Sequence, residues 1–261
     1  MGIMIHHVLP RTARRSCARR ASRILLALAA VAALLGVDVP GSAAGPPLGV
    51  TAQAPPDAPA DRVGALFAGG LDGGHFCTAA VVRGGGRDVI ATAAHCLDSP
   101  YTTLFAPGYR DGRAPYGLWK LTGVYVAAGW TDGKDPDDDI AFATVAPADE
   151  GRTGSLEDLV GGFPVAAGQP DDATVTVIGY PRTRETPLRC ANTTALLTGT
   201  QRRIGCPDLG GGTSGSPWLV DGALAGVLGG HEGGGTVPEI SYSAVMGGRA
   251  AELYREAVAA G

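Results

Sequence analysis

Three short stretches of this sequence carry residues that could act together in chemistry. Ser214 lies in the glycine-rich run "DLGGGTSGSPW", His95 lies in "ATAAHC", and Asp139 lies in "DPDDDIAFATV". A serine hydroxyl is a weak nucleophile unless a base removes its proton. An imidazole suits that task because its unperturbed pKa of about 6.5 lies close to neutral pH. The residue types therefore predict nucleophilic catalysis, provided that the fold brings the three together.

The glycines before Ser214 indicate how such a reaction could be supported. Gly210, Gly211 and Gly212 permit backbone angles that are closed to other residues. The amides of Gly212 and Ser214 could then converge on one point and form an oxyanion hole, where losing one donor costs roughly 2.7–4 kcal/mol. Taken alone, such a run is more typical of a flexible linker that contains a serine.

The acidic stretch holds one aspartate that differs from its neighbours. Asp135, Asp137 and Asp138 are typical of a solvated acidic turn. Asp139 is followed at once by apolar residues that carry the chain inward, so its carboxylate can be partly desolvated and accept the Nδ1–H of a histidine. His95 in isolation would be interpreted as a structural or surface residue. The prediction therefore depends on all three stretches, which are separated by 44 and 75 residues.

Residues 1–44 have the pattern of a secretory signal. Six arginines precede fourteen uncharged residues, Ile24 to Val37, and small residues end the segment at Ala44. The uncharged stretch is shorter than the ~20 residues that a spanning helix needs, so a membrane anchor is the less favoured alternative. We expect cleavage after Ala44, secretion, and no stable membrane association of the mature chain.

The charge balance bears on the partners of the mature chain. The full chain has 21 basic and 25 acidic residues, and removing the signal leaves 15 and 24, a net charge of −9. A soluble acidic protein has no electrostatic footprint for nucleic acid or anionic lipid. We therefore expect protein or peptide partners and a monomeric chain.

The cysteine count agrees with export. Cys17 lies within the signal, which leaves four cysteines for an oxidising compartment. Three pairings are possible, and we expect the sequential one, Cys77–Cys96 and Cys190–Cys206, because it closes two short loops. Each bridge would contribute roughly 3 kcal/mol. A zinc site is not favoured because no Cys-x-x-Cys spacing is present, and no metal or other cofactor is expected.

The pattern of apolar residues after residue 61 predicts an all-β fold. Residues 45–61 are rich in proline and alanine and are typical of a leader or an extended linker. From Arg62 onward, short apolar runs of strand length are separated by glycines and prolines. These runs are "VGALFAG", "HFCTAAVV", "DVIATAAH", "LWKLTGVYVAAGW", "DIAFATVAP", "ATVTVIGYP", "ALAGVLGG" and "ISYSAV".

The remaining patterns divide the domain 62–261. Apolar residues at helical spacing from Ala250 to Val258 predict a terminal helix over about 246–260. The Pro/Gly/Asp-rich passage 147–172 is the expected seam between two barrels, the first at about 62–155 and the second at about 170–245.

Together, "TAAHC", "DIA" and "GTSGSP" resemble the three signatures of the chymotrypsin-like (trypsin-fold) serine endopeptidases, and above all their secreted bacterial branch. The resemblance implies two perpendicular antiparallel β-barrels with the site between them. It also implies that Ser214 attacks the scissile carbonyl, that His95 transfers the proton, and that Asp139 orients His95.

Two departures from the family pattern concern how the nucleophile loop is held. Thr213 stands where animal digestive members carry an acid that pairs with a new N-terminus, and the usual Ile-Val-Gly-Gly start is absent. We expect the loop to be held by its own hydrogen bonds and by the nearby Cys206 bridge.

The resemblance also leaves two interpretations of specificity open. Asp208 lies six residues before Ser214, where trypsin-like members place the acid that receives Arg or Lys, but it could equally be a plain turn acid. The run Leu228, Gly229 and Gly230 is expected to form a pocket wall. Since Leu228 stands where glutamate-specific relatives carry a histidine, a glutamate preference is not expected.

Two other functions compete with the peptidase. An α/β-hydrolase esterase is disfavoured because only 47 residues follow Ser214 and position 216 is serine rather than glycine. A secreted binding module that has lost activity on the same fold would show a changed triad residue, and none is changed here.

Overall fold

The computed structural model describes residues 47–85, 88–149, 151–166, 168 and 172–260. The predicted signal, residues 1–44, lies outside the described residues. In the part of the chain that is described, the strands are β1 Val50–Gln53, β2 Val63–Ala68, β3 His75–Val82, β4 Val89–Thr92, β5 Thr103–Pro107, β6 Trp119–Val126, β7 Ala141–Pro147, β8 Thr174–Gly179, β9 Leu188–Leu196, β10 Gln201–Gly205, β11 Pro217–Val220, β12 Ala223–Val227 and β13 Ile240–Ala244. The α-helices are α1 Ala58–Asp61, α2 Ala128–Gly133, α3 Leu156–Val160 and α4 Gly248–Ala260.

The first barrel is a closed antiparallel sheet with the order β2-β3-β4-β7-β6-β5, in which β2 also pairs with β5. Its central strands are buried on both faces, so β4 reads as the continuous apolar run "VIAT" rather than as an alternation. One face fills the barrel. The other packs against the second barrel or α4, which is why the core of this barrel includes Tyr180 and Ala257.

The second barrel is an antiparallel sheet with the order β12-β11-β8-β9-β10-β13, and β1 pairs with β9. A bridge between Leu228 and Ser243 joins the end of β12 to β13, so the two edges of the sheet meet. The core of this barrel is built around the fully buried Trp218, together with Val177 and Ile204. The prediction of an all-β fold with two antiparallel barrels is confirmed.

Five strands were not among the runs that the sequence indicated: β1, β5, β9, β10 and β11. Strand β9, "LRCANTTAL", illustrates the reason. It is the longest strand, yet it alternates irregularly between buried and exposed residues and is rich in polar residues. Such a strand is held by backbone hydrogen bonds to its neighbours on both sides, a contribution that apolar patterning does not reveal.

The segment before Arg62 forms part of the second barrel, although its composition suggested a leader or linker. Strand β1 pairs with β9 over four residues, and the Gly49 amide donates to the Gly205 carbonyl at 2.8 Å. Asp57 caps α1 by accepting from the Ala60 amide at 3.0 Å. The same carboxylate accepts two hydrogen bonds from the Arg189 guanidinium in β9, at 2.7 and 2.9 Å. Side-chain patterning missed the segment because three of the four β1 residues are exposed.

Helix α4 is the terminal helix that the apolar periodicity predicted, and in the structure it packs against the first barrel. Ala250 and Ala257 are buried, and the ring of Tyr254 lies 5.5 Å from that of Phe142 in β7. No helix in the described residues is long and apolar enough to cross a membrane.

Two disulfides join the four cysteines in the sequential pairing. Cys77 in β3 is bonded to Cys96, and Cys190 in β9 is bonded to Cys206 at the end of β10. Each bridge closes a loop of fewer than twenty residues, which limits the freedom of the unfolded chain. The first bridge fixes the segment after β4 to the neighbouring strand.

If the segment 47–61 belongs to the folded domain, replacing Asp57 with Ala should lower the free energy of unfolding by about 1–2 kcal/mol. The change removes the α1 cap and the partner of Arg189. Urea unfolding followed by tryptophan fluorescence measures the loss, and Asp72→Ala, at an exposed acid, is the matched control. The hydrogen bonds from Arg189 hold the pKa of Asp57 below its usual value.

The contribution of Asp57 is therefore complete above the ordinary carboxyl pKa and is lost as the pH falls through the lowered one. The difference between the wild type and Asp57→Ala should accordingly shrink in acid. Equal stability of the two proteins at pH 7 would contradict the integration of this segment.

Candidate active site

His95 lies in a short 3₁₀ turn, Ala94–Leu97, that directly follows β4. The bridge from Cys96 to Cys77 ties this turn to β3. The imidazole is one-quarter exposed, so it faces solvent on one side and the protein on the other. A histidine that acts on a substrate needs both this fixed position and this access.

Asp139 is completely buried and accepts three hydrogen bonds. Its Oδ2 accepts from His95 Nδ1 at 2.8 Å, and its Oδ1 accepts from the His95 amide at 2.9 Å. The third donor is the amide of Gly230, at 2.8 Å from Oδ2. A buried carboxylate is stable only when its oxygens are satisfied in this way. The arrangement holds the His95 proton on Nδ1 and leaves Nε2 free to act as a base.

The neighbouring acids serve other purposes, and Asp138 does not belong to a solvated turn. Its side chain is buried and pairs with Arg249 of α4, with 2.9 Å between Nε and Oδ1. Burial raises the pKa of Asp138, and the Arg249 charge opposes that rise. Asp135 caps the 3₁₀ turn Pro136–Asp138, while the half-buried Asp137 accepts from the side chain of Gln201. Nothing in the local sequence indicated that Asp138 would be turned inward by its partner in α4.

The loop that carries Ser214 is fixed by hydrogen bonds within itself. The Thr213 hydroxyl donates to the Gly210 carbonyl at 2.7 Å, and the Thr213 amide donates to the same oxygen at 3.1 Å. The Ser216 amide then donates to the Thr213 carbonyl at 2.9 Å. Thr213 is 1% exposed. At the position where animal digestive members carry an acid, its neutral hydroxyl therefore holds the loop through a hydrogen bond to a loop carbonyl.

Hydrogen bonds from outside the loop complete its support. The Arg182 amide, which follows β8, donates to the Gly211 carbonyl at 2.7 Å. Thr78 of β3 donates its hydroxyl to the Gly212 carbonyl at 3.0 Å and its amide to the Ser214 carbonyl at 2.7 Å. The loop is therefore held by both barrels, whereas the sequence analysis expected only its own bonds and the Cys206 bridge.

The contact between the loop and the first barrel places Ser214 beside the turn that carries His95. A Cβ atom on Gly215 would lie 2.1 Å from the Thr92 hydroxyl and 3.1 Å from the Ala93 amide. His95 follows Ala93 by two residues. The backbone next to the serine thus packs directly against the chain that leads into the histidine, and only glycine allows this approach.

The amides of Gly212 and Ser214, which are expected to bind an oxyanion, have no hydrogen-bond acceptor within the described part of the chain. Gly212 has a φ of +101°, and a Cβ there would lie 2.5 Å from the Arg182 amide nitrogen. The glycine is therefore required by both its conformation and its surroundings. Free amides on either side of Thr213 are the groups that an oxyanion could bind.

Of the four residues that were expected to form a substrate pocket, only some lie at the same place in the structure. Leu228 lines a cavity beside Ser214, but Asp208, Gly229 and Gly230 are not among the described residues that line it. The two glycines lie instead at the carboxylate of Asp139, since a Cβ on Gly229 would be 2.8 Å from Oδ2 and the Gly230 amide donates to the same oxygen. Asp208 is exposed and has a φ of +66°, the conformation of a turn residue.

Two residues near the site were missed by sequence reasoning. Thr78 has no motif, because its importance comes from contacts with residues more than 100 positions away. Trp130 of α2 lies 6.3 Å from the His95 ring, and Lys134 lies 4.7 Å from the Trp130 ring and 3.3 Å from the Asp98 carboxylate. A helix of six residues with the sequence "AGWTDG" carries no signal that would predict this neighbour of the histidine.

The trypsin family model matches residues 57–244, which is well over half of the chain. The chain therefore belongs to the trypsin family and is a serine endopeptidase, and the resemblance drawn from the three motifs is confirmed. Among curated proteins, none matches the chain significantly.

Solved structures agree with the family and with its bacterial branch. The protease Anisep from Arthrobacter nicotinovorans is 25% identical with a TM-score of 0.68, and the match covers 80% of this chain and 100% of that one. The thermostable serine protease AL20 from an extremophilic microorganism is 26% identical with a TM-score of 0.67, covering 78% and 100%. A Glu endopeptidase, 17% identical with a TM-score of 0.64 and covering 82% and 98%, shows the shared fold alone.

Replacing Thr213 with Val should destabilise the protein by about 1 kcal/mol, because it removes a buried hydroxyl while keeping the shape of the side chain. Thr213→Ser keeps the hydroxyl but loses a buried methyl group, so this control should itself lie roughly 1 kcal/mol below the wild type. Thr213→Asp would bury a carboxylate without a cation and should cost several kcal/mol. Urea unfolding midpoints measure all three, and a valine variant as stable as the wild type would argue against the bond to Gly210.

Proposed function

We propose that this chain is a secreted serine endopeptidase that hydrolyses peptide bonds with Ser214, His95 and Asp139, using the amides of Gly212 and Ser214 as the oxyanion hole. The observation that carries the proposal is the hydrogen bond from His95 Nδ1 to the buried Asp139 at 2.8 Å. This pair lies beside the Ser214 loop, in which the amides of Gly212 and Ser214 have no acceptor among the residues that the structure describes.

Each group has one task in this reaction. The Nε2 atom of His95 accepts the proton of the Ser214 hydroxyl as its oxygen attacks the scissile carbonyl carbon. Negative charge then develops on the carbonyl oxygen, and the Gly212 and Ser214 amides stabilise it. His95 passes the proton to the leaving amine, which departs and leaves an acyl group on Ser214. Water, deprotonated by His95, hydrolyses that ester and restores the serine.

Asp139 acts on the histidine rather than on the substrate. Its negative charge stabilises the imidazolium that forms when His95 takes the serine proton. Because the carboxylate is buried and held by Gly230 as well, it cannot rotate away between proton transfers. The imidazole therefore stays in the tautomer and the orientation that catalysis needs.

Three observations support export, which we include in the proposal. The sequence of residues 1–44 has the pattern of a secretory signal. The two disulfides are typical of proteins in oxidising compartments. The structural relatives include bacterial proteases of the same fold. We also propose that the mature chain acts as a monomer on protein or peptide substrates.

The alternative of a catalytically silent binding module is not favoured. The site residues have the types that the family mechanism needs, and the buried carboxylate still holds the histidine. Human heparin-binding protein shares the fold at 15% identity and a TM-score of 0.60, covering 80% of this chain and 94% of its own. That likeness concerns the fold alone.

The decisive experiment is covalent labelling of the mature protein with a serine-directed fluorophosphonate probe. We expect labelling at pH 7–8 that is abolished by Ser214→Ala, because only an activated serine reacts at a useful rate. Mass spectrometry of the labelled peptide identifies the modified residue. A folded wild-type protein that takes up no probe would favour the silent binding module.

The role of Asp139 can be tested by Asp139→Asn, which should lower kcat by roughly 10³–10⁴-fold. The amide cannot stabilise an imidazolium, and its NH₂ group opposes the donors that now surround the carboxylate. Asp137→Asn changes a neighbouring acid that contacts Gln201 rather than His95, and it should keep kcat near the wild-type value. Circular dichroism verifies the fold of both variants. Similar kcat values for the two would exclude Asp139 from the mechanism.

A further inference from the structure

A cavity of about 160 Å³ lies beside Ser214. It is lined by Leu209 and Leu228, which are 6% and 3% exposed, and by the segment 233–238. None of the described residues that line the cavity carries a charge. The groups that face it are leucine, valine and proline side chains, glycine backbone, and the hydroxyls of Ser214 and Thr236.

We propose that this cavity receives the substrate side chain on the N-terminal side of the cleaved bond, and that it selects a neutral, apolar one. The inference rests on the proposed function, because it takes Ser214 as the nucleophile. A pocket lined by the nucleophile itself is in reach of the residue whose carbonyl is attacked. The substrates are then peptides with an aliphatic residue or a single aromatic ring before the cleaved bond.

The size of the cavity sets the upper limit of that side chain. The volume of about 160 Å³ is close to the roughly 150 Å³ that accommodates a benzene ring in a protein interior, so a leucine or phenylalanine side chain is of suitable size. Gly234 and Leu228 both line the cavity and are in contact, since a Cβ on Gly234 would lie 2.5 Å from the Leu228 side chain. A larger residue at position 234 would therefore force Leu228 to move.

Charged side chains have no partner in this cavity. Asp208, the acid that could have received Arg or Lys, is exposed and does not line it in the described part of the chain. Glu232 reaches the lining only indirectly, because its carboxylate accepts the Thr236 hydroxyl at 2.9 Å and is otherwise half-exposed. His231 lies beside that carboxylate, with 3.9 Å between Nε2 and Oε1.

The absence of a partner decides between the substrate classes. Burying an ammonium, a guanidinium or a carboxylate without an opposite charge is far more costly than burying an alkyl group. The alkyl group gains free energy from leaving water. An enzyme with this cavity therefore discriminates against basic and acidic residues by desolvation, without any group that repels them.

The test is a series of peptides of one frame that differ only in the residue before the cleaved bond: Ala, Val, Leu, Phe, Trp, Glu, Lys and Arg. Enzyme concentration is set by fluorophosphonate titration, so loss of the proposed function and a wrong specificity give different results. An enzyme that takes up no probe contradicts the proposed function. For an enzyme that is labelled, the values of kcat/KM across the series report the side-chain preference.

We expect the highest kcat/KM for Leu or Phe, and values about 100-fold or more lower for Arg, Lys and Glu. Trp should be cleaved less well than Phe because of its size. A labelled enzyme that cleaves after Arg, Lys or Glu as fast as after Leu would overturn the proposal.

Two variants identify the source of any charge preference. Asp208→Asn keeps a residue that tolerates the left-handed backbone at φ +66°, and Glu232→Gln removes the carboxylate that is bonded to Thr236 of the lining. Both should leave the order of preference unchanged. Selective loss of cleavage after Arg in either variant would show that the carboxylate serves the pocket after all.

A third variant introduces a carboxylate that could pair with a basic substrate side chain in the cavity. Val237 lines the cavity and is 49% exposed, so a polar residue can replace it without disturbing the core. Val237→Asp should raise kcat/KM for Arg and Lys relative to Leu by about tenfold or more, whereas the isosteric Val237→Asn should not. Equal profiles for these two variants would count against this cavity as the selecting pocket.

Discussion

The buried charge of Asp139 is the constraint on which the arrangement of the two barrels depends. An ionised carboxylate inside a protein must be matched by donors, and the donors here come from both halves of the molecule. His95 supplies two of them from the first barrel, and Gly230 supplies the third from the second barrel. Gly230 has a φ of +75°, and a Cβ on it would lie 2.4 Å from the Gln201 side chain. Glycine adopts this backbone conformation without strain, so its amide can reach the carboxylate from the second barrel. The three donors of Asp139 therefore come together where the two barrels meet.

Thr78 provides a second connection across the same interface. It accepts the Tyr180 amide at 3.0 Å and donates to Gly212, while its carbonyl accepts the Thr92 hydroxyl at 2.8 Å. One residue of the first barrel thus positions both the end of β8 and the nucleophile loop of the second. Its chain neighbour, Cys77, is bonded to Cys96 next to the histidine. His95 and the loop of Ser214 are therefore supported by adjacent residues of a single strand, so that a shift of β3 would move both.

How much of this could be read from the sequence depended on the range of the interactions involved. The residue types at positions 95, 139 and 214 and the required glycine at position 212 are local features, since a tight turn and a strand end leave short signatures. The terminal helix was predictable because Ala250 and Ala257 repeat at helical spacing. Strand β1 and the inward turn of Asp138 were not, because one is fixed by backbone bonds to β9 and the other by Arg249, far along the chain. The sequence pattern of a segment does not reveal the distant residues to which the segment binds.

The neutral residue at position 213 shows how the loop can keep its shape without a distant charge. A buried acid there would need a cation, and the loop would form only when that cation was supplied. The Thr213 hydroxyl instead donates to an oxygen of its own loop, and Arg182 and Thr78 hold the neighbouring carbonyls. The segment that begins at residue 47 follows β9 and is tied to Gly205 and Arg189 by a separate set of bonds. Since the two sets share no residue, the free amides beside Ser214 are held in place by the folded barrels themselves.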